Sequence, residues 1–433
     1  MNPPRALRTL ALGLTLWLAA ATAARAQTGG VALTLVAEGP VTPVMASYIQ
    51  RGIATAENQN AEVVIIQLNT PGGQLDLMQR VVDVMLQSRV PVVVYVSPRG
   101  AMAGSAGTII TLAAQANAMA PDTVIGAASP VGSQGENIDS TLSAKLKSVL
   151  KAQVRNLAAA RSPEAIALAE QTIDEAKAAT AAEARAVGLT DFIAADVPDL
   201  LRQLDGYTVR VQGREVTLHT ANATVTPLPA SLLEEALALL TNPNVVFLLL
   251  ALGTQAILIE LASPGGWVAG FIGAISLALA FYGLGVLPVN WFGLVFIVLA
   301  FALFIIDINA PTHGALTAAA VGSIIVGALV LFNSPGSSPY FRVSIPLVVG
   351  TALAFGGMFS VILVFALRAQ KRPVIVGTHT VVGQVGRVQQ PLTPEGTVQV
   401  AGELWSAESD GEPIAAGEKV EVVEVKGLRL KVR

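Results

Sequence analysis

The stretch "VPVVVYVSPRGAMAGSAGTII", residues 90–110, decides how this chain is read. Its first half is a run of β-branched residues with no polar alternation, the pattern of a strand covered on both faces by crossover helices. Its second half gathers Gly100, Gly104 and Gly107 with Ala101, Ala103 and Ala106 around one hydroxyl, Ser105. Small residues let a helix begin close to neighbouring backbone, and Ser105 then stands near its N-terminus, where the dipole favours developing negative charge. Two readings follow: a nucleophile at a tight turn, or a small residue packing a helix.

Working outward, "AEVVIIQLNTPGG", residues 61–73, is a second buried-type strand. It ends in Gly72-Gly73, and paired glycines permit backbone conformations that expose peptide N–H groups able to bind an oxyanion. A plain turn after a strand is the other reading. With "VALTLVAEG" (31–39) and the helical "DLMQRVVDVMLQS" (76–88), the region from Gln27 to about Pro227 reads as an α/β domain. "TLHTANATVTPLP", residues 217–229, reads as a linker, and "ASLLEEALALL" as a short amphipathic helix leading to a membrane.

Of the 433 residues, 53% are hydrophobic and 13% charged, too apolar for an ordinary soluble protein. The net charge is −3 and no basic block is interleaved with aromatics, which argues against nucleic-acid binding. The absence of cysteine excludes disulfides, thiolate metal sites and a cysteine nucleophile. Residues 1–26 carry Arg5 and Arg8, an apolar stretch and Ala24-Arg25-Ala26, the order of a secretory signal.

Between Val245 and Leu367 the only charged residues are Glu260, Asp307 and Arg342. Five apolar segments, near 245–262, 267–287, 290–308, 314–332 and 345–367, are expected to span a bilayer. "RAQKR", 368–372, is expected to stay cytoplasmic, and an exported N-terminal domain then requires an odd number of spans. Glu260 and Asp307 are expected at span ends rather than as intramembrane functional carboxylates. The alternating segments of 373–433 suggest a small all-β domain.

A serine needs a base. The α/β region offers His219 alone among histidines, in the late polar stretch, which disfavours a histidine triad. Lysine serves if burial lowers its pKa, and "STLSAKLKSVLKAQVRNLAAA", 140–160, supplies candidates on a helix. Lys147, Lys151 and Arg155 recur at every fourth position as a solvated line. Lys145 lies off that line, on the side of Leu142, Val149 and Ala152, and so is expected to face apolar surroundings. Snorkelling from the edge of that face is the alternative.

At this point "NTPGG", "AGSAGT", "NAMAPDTVIGAASPV", the helix carrying Lys145 and "AEARAVGLTDFIA" resemble the NfeD-type membrane-bound serine proteases, partners of stomatin-like proteins within the Clp-protease and crotonase fold group. "LIELASPGGWVAGFIGAISLALAFYGL" and "GQVGRVQQPLTPEGTVQVAGELWSAES" extend the resemblance over nearly the whole chain. "ELASPG" stands where that family usually offers "ELYNPG", and Pro264-Gly265-Gly266 is read as a turn at the membrane face.

The resemblance implies a Ser-Lys dyad of Ser105 and Lys145, with Lys147 as second choice, and oxyanion donors at Gly72, Gly73 and Ala106. It implies a Clp-protease-like domain over 27–227, a juxtamembrane helix over 228–242, a membrane domain over 243–368 and an OB-like domain over 373–433. It implies an endopeptidase of a bacterial-type inner membrane acting on a hydrophobic peptide, with a stomatin/prohibitin-like partner, a homo-oligomer and no cofactor or metal. A membrane scaffold with a weak or inactive protease domain is the alternative.

Overall fold

A computed structural model describes residues 30–132, 136–262, 266–309, 312, 314–333, 339–370 and 381–433. The expected signal segment, Pro264, Gly265 and the Lys371-Arg372 end of the basic cluster lie outside them.

In the N-terminal region the elements run β1 (Val31–Glu38), α1 (Pro43–Gln59), β2 (Val63–Asn69), α2 (Leu75–Gln87), β3 (Val92–Val96), β4 (Met102–Gly104), α3 (Ala106–Ala113), β5 (Ala116–Met119) and β6 (Val124–Gly126). They continue with α4 (Ser140–Leu157), α5 (Pro163–Asp174), β7 (Ala178–Thr180), α6 (Ala181–Ala186), β8 (Phe192–Ile193), α7 (Val197–Leu204), β9 (Thr208–Val211), β10 (Arg214–Thr217), β11 (Thr224–Pro227) and α8 (Leu232–Leu239).

The main sheet has the order β11-β1-β2-β3-β5-β8, and every pairing in it is parallel. Its apolar runs have two dry faces. Leu33, Leu35, Val64, Ile66, Val92 and Val94 meet α1, α2 and α3 in one core. Ala32, Val63, Ile65, Val93 and Tyr95 meet α7 and β9 in another. That double cover is why these strands lack alternation. A small sheet β4-β6-β7 stands beside the main one.

One expectation fails here. Residues 224–227 are not linker but strand β11, paired with β1 from Val31↔Thr224 to Thr34↔Pro227. An edge strand needs neither alternation nor strong β-formers when its neighbour supplies the ladder, and Pro is tolerated there.

Helices occupy each of the five expected apolar segments: α9 (Pro243–Ala262), α10 (Val268–Val286), α11 (Phe292–Asn309), α12 (Ala315–Phe332) and α13 (Ile345–Gln370). Against the expected five spans, three helices among the described residues are long and apolar enough to cross a membrane, within Pro243–Glu260, Val268–Val286 and Ala315–Phe332. Phe292–Asp307 and Ile345–Val361 are shorter apolar stretches.

α9 with α10, and α11 with α12, pack as hairpins through glycine. A methyl built on Gly253 would lie 3.1 Å from the Gly273 carbonyl, and one on Gly293 2.5 Å from that of Gly327. Glu260 accepts from the N–H of Trp267 at 3.0 Å and of Gly270 at 3.1 Å, at the start of α10. Asp307 accepts from the N–H of Thr317 at 3.0 Å, at the start of α12, and from the hydroxyls of Thr312 and Thr317. Each hairpin thus uses a carboxylate, ten residues before the amide it accepts, to satisfy the orphan donors of its second helix.

The C-terminal unit is a closed barrel in the order β12-β13-β14-β16-β15, with β12 (Val385–Gln390), β13 (Glu395–Val400), β14 (Glu403–Ser409), β15 (Lys419–Lys426) and β16 (Arg429–Val432). Its core holds Val388, Val398, Val400, Ala407, Val420, Val422, Leu430 and Val432. The architecture read from the sequence holds: an α/β domain on a parallel sheet, a helical membrane region and a small five-stranded barrel.

Candidate active site

Ser105 occupies the single residue between β4 and α3, with φ 51° and ψ −116°. Positive φ is costly for a residue with a Cβ, about 1–3 kcal/mol, and persists only where the surroundings enforce it. The enforcement is visible. The Ser105 N–H donates to the Gly126 carbonyl at 2.9 Å and the Ser105 carbonyl accepts from the Thr108 N–H at 3.0 Å. Thr108 is fully buried. Its hydroxyl donates to the carbonyls of Ala103 (2.9 Å) and Gly126 (3.0 Å) and accepts from the Gly126 N–H (3.0 Å), tying β4, α3 and β6 together around the serine. A sharp strand-to-helix turn held this way exposes a hydroxyl at the C-terminal edge of the sheet. The Ser105 side chain makes no cap hydrogen bond.

The loop after β2 faces it. Thr70 donates its N–H to the Met102 carbonyl at 2.7 Å, and its carbonyl accepts from Gly104 at 2.9 Å, so the loop is a short extra strand on β4. Gly72 has φ +119°, and a methyl built on it would lie 2.6 Å from the Ser105 Cβ, 3.0 Å from Oγ and 3.4 Å from the Ala106 nitrogen. Only glycine fits between loop and serine. The Gly72 N–H is already given to the Thr70 hydroxyl at 3.1 Å, and the Gly72 carbonyl accepts from Val41 at 2.8 Å. Of the three expected oxyanion donors, Gly72 therefore contributes space. The N–H groups of Gly73 and Ala106 take part in none of the hydrogen bonds among the described residues. Ala106 is the first residue of α3, whose opening amides are orphans by construction.

The lysine helix corrects the expected face. α4 buries Leu150 and Val154, while Leu142 is 49% and Val149 64% exposed. The side carrying Lys145 is open, and Lys145 itself is exposed. The line taken as solvated is the packed one: Lys147 Nζ donates to the Asp174 carbonyl at 2.7 Å, and Lys151 pairs with the Asp174 carboxylate at 2.5 Å. That hydrogen bond holds the Lys151 ammonium above its ordinary value. Asp174 ends α5, so a partner from another helix selected which lysines turn inward. Among the described residues Lys145 has no hydrogen bond or ion pair, and none joins it to Ser105. His219 is exposed, its N–H bound to Glu62 at 2.7 Å just before β2, at the edge of the sheet opposite Ser105. No group of three or more metal-ligating side chains occurs among the described residues.

Sequence reasoning missed Thr70, Thr108 and Gly126, the residues that hold the turn. Their only local signal is small size near glycine.

Comparison with known proteins covers the same three parts. Family models match for the NfeD1b N-terminal domain over residues 34–213, the NfeD integral membrane domain over 244–365, and the NfeD-like C-terminal, partner-binding domain over 378–433. Membrane-bound protease PH1510 of Pyrococcus horikoshii is 36% identical over 409 residues, 91% of each chain. Membrane protein NfeD1b of Bacillus subtilis is 29% identical over 406 residues, 90% of this chain and 89% of that one. A solved structure of the 1510-N membrane-bound stomatin-specific protease, a lysine-to-alanine mutant with a substrate peptide, is 32% identical, covering 49% of this chain and 97% of that one at a TM-score of 0.45. With a relative at this identity aligned along both chains nearly end to end, the chain belongs to the NfeD family.

Proposed function

We propose that this chain is a membrane-bound serine endopeptidase in which Ser105 is the nucleophile and Lys145 the general base. The observation that carries the reading is the enforced backbone of Ser105, with its Oγ against Gly72 and the orphan amide of Ala106 next to it. The neutral Lys145 amine takes the Ser105 proton as Oγ attacks a peptide carbonyl. The N–H groups of Gly73 and Ala106 hold the oxyanion in the gap that Gly72 leaves open. The tetrahedral intermediate collapses, the leaving amine takes the proton from Lys145, and water releases the acyl group by the same route in reverse.

Lys147 is the weaker candidate, because its ammonium is engaged by Asp174. Lys145 is free to move, and its exposed neighbours Leu142 and Val149 are the surface on which a hydrophobic peptide settles and excludes water from the dyad. The substrate class is an apolar peptide segment, and the partner a stomatin/prohibitin-like protein met through the C-terminal barrel. The protease domain is exported, the barrel cytoplasmic, and the protein a homo-oligomer.

A fluorophosphonate probe applied to the full chain tests the reading: wild type is labelled at Ser105, and Ser105→Ala is neither labelled nor able to cleave a hydrophobic peptide. A folded wild type that leaves the probe untouched supports the alternative, a membrane scaffold with an inactive protease domain.

A further inference from the structure

Helix α8 is amphipathic in the unusual sense. One of its two glutamates faces the protein: Glu234 takes a bidentate pair from Arg51 of α1, Nε to Oε1 at 2.9 Å and Nη2 to Oε2 at 2.6 Å, while Glu235 is exposed. Arg51 also donates to the Pro229 carbonyl at 2.9 Å and lies over the Tyr48 ring at 5.4 Å. The Tyr48 hydroxyl donates to the Leu228 carbonyl at 2.6 Å. The Arg51 hydrogen bonds hold the Glu234 carboxyl down to about 2. The leucines point away: Leu232, Leu233 and Leu239 are 85%, 68% and 60% exposed. A helix that turns Glu234 inward and shows three of its four leucines has apolar solvent on the outside.

That solvent is adjacent in the chain. Three residues separate α8 from the first apolar helix, α9, which begins at Pro243, and the Leu240 carbonyl lies 2.6 Å from a methyl built on Gly283 of α10. On its other side α8 borders an open cleft of about 180 Å³, lined by Glu234, Glu235, Ala238 and the following Thr241 and by Glu38, Pro40 and Thr42. Pro40 and Thr42 flank Val41, whose N–H holds the Gly72 carbonyl. One cleft therefore separates the loop that walls Ser105 from the point where the chain enters the apolar helices.

We propose that α8 lies in the membrane surface with its leucines in the lipid. Through the Arg51–Glu234 clamp it holds the Ser105 edge of the domain against the bilayer, so the substrates are peptide segments at the surface of that same membrane. The substrate half rests on the proposed protease activity; the lipid half does not. No kinship with lipid-binding helices is needed, only the inverted amphipathicity and the connection to α9.

The cysteine-free chain suits the test. Single cysteines at Leu233 and Leu239, and at Leu86 on α2 as an exposed control (47% exposed), are labelled with an environment-sensitive fluorophore in the full chain, reconstituted in phosphatidylcholine/phosphatidylglycerol vesicles. A spin-labelled lipid should quench positions 233 and 239 several-fold more than 86. Equal quenching at all three overturns the placement, whatever the activity. In the same vesicles Arg51→Ala should lose most cleavage of a peptide tethered to the bilayer by a transmembrane anchor, while keeping wild-type cleavage of the untethered peptide. Equal loss on both, or loss on neither, overturns the orienting role. A wild type that cleaves neither peptide overturns the substrate half and the protease reading together, and leaves the quenching result to decide the lipid half.

Discussion

Gly72→Ala isolates the claim that Gly72 supplies space rather than an N–H. A methyl there would sit 2.6 Å from the Ser105 Cβ, whereas ordinary contact begins at 3.4 Å, so loop and serine must part by the difference of 0.8 Å. A misplacement of about 1 Å costs roughly 100-fold in rate, about 2.7 kcal/mol of transition-state stabilisation. The backbone adds its own term, since φ +119° is unfavourable for alanine by about 1–2 kcal/mol. Gly100→Ala separates the two: Gly100 has φ +79° with nothing within 4 Å of its built Cβ. Thermal midpoints should fall in both variants. Only Gly72→Ala should lose peptide hydrolysis, about 100-fold in kcat/KM, with slower fluorophosphonate labelling of Ser105. If Gly72→Ala stays near wild type, or Gly100→Ala loses as much activity, the close approach at Gly72 does not set the serine's position.

Lys145→Ala should abolish hydrolysis with an unchanged thermal midpoint, since its side chain has no partner among the described residues, whereas Lys147→Ala should lower the midpoint through its lost bond to Asp174 and leave activity. The reverse pattern moves the base to Lys147. The Glu234 carboxyl sits at about 2 in the fold against an ordinary 4.5. Its stabilisation is therefore fully present above about 4.5 and lost as pH falls toward 2, so the midpoint gap between wild type and Glu234→Gln should close on acidification. Asp307→Ala strips the cap from α12 and should cost about 0.5–2 kcal/mol in detergent unfolding. Asp307→Asn, which keeps an acceptor for the Thr317 N–H, should cost less.

What was legible followed from local composition. The β-branched runs of β2 and β3 stand out because both faces are dry, and the small residues around Ser105 mark a place where backbone meets backbone. The barrel shows because its strands alternate between core and water. What was hidden depends on distant partners. Thr224–Pro227 is polar and becomes a strand through the ladder β1 offers. α4 spreads apolar residues around its girth, at Leu142, Leu146, Val149, Leu150 and Val154, so periodicity left two faces open. Asp174, on the next helix, chose between them by taking Lys147 and Lys151. The engagement of the Gly72 N–H was hidden for the same kind of reason, since the Thr70 hydroxyl that accepts it is set by tertiary position.

The two halves of the proposed mechanism are unequally prepared. The serine, its glycine wall and its amides stand on strands and buried threonines, with strain already stored at Ser105, so this half needs no rearrangement when charge develops. The lysine stands on an open helix face, without a partner among the described residues that would fix its position. Covering Leu142 and Val149 removes water from Lys145 and contributes apolar burial in one step, so binding energy from parts of the peptide remote from the scissile bond is what lowers the barrier. The activity of such a site is then controlled by whatever covers α4, and a domain held against a membrane meets apolar segments at the surface where they are concentrated.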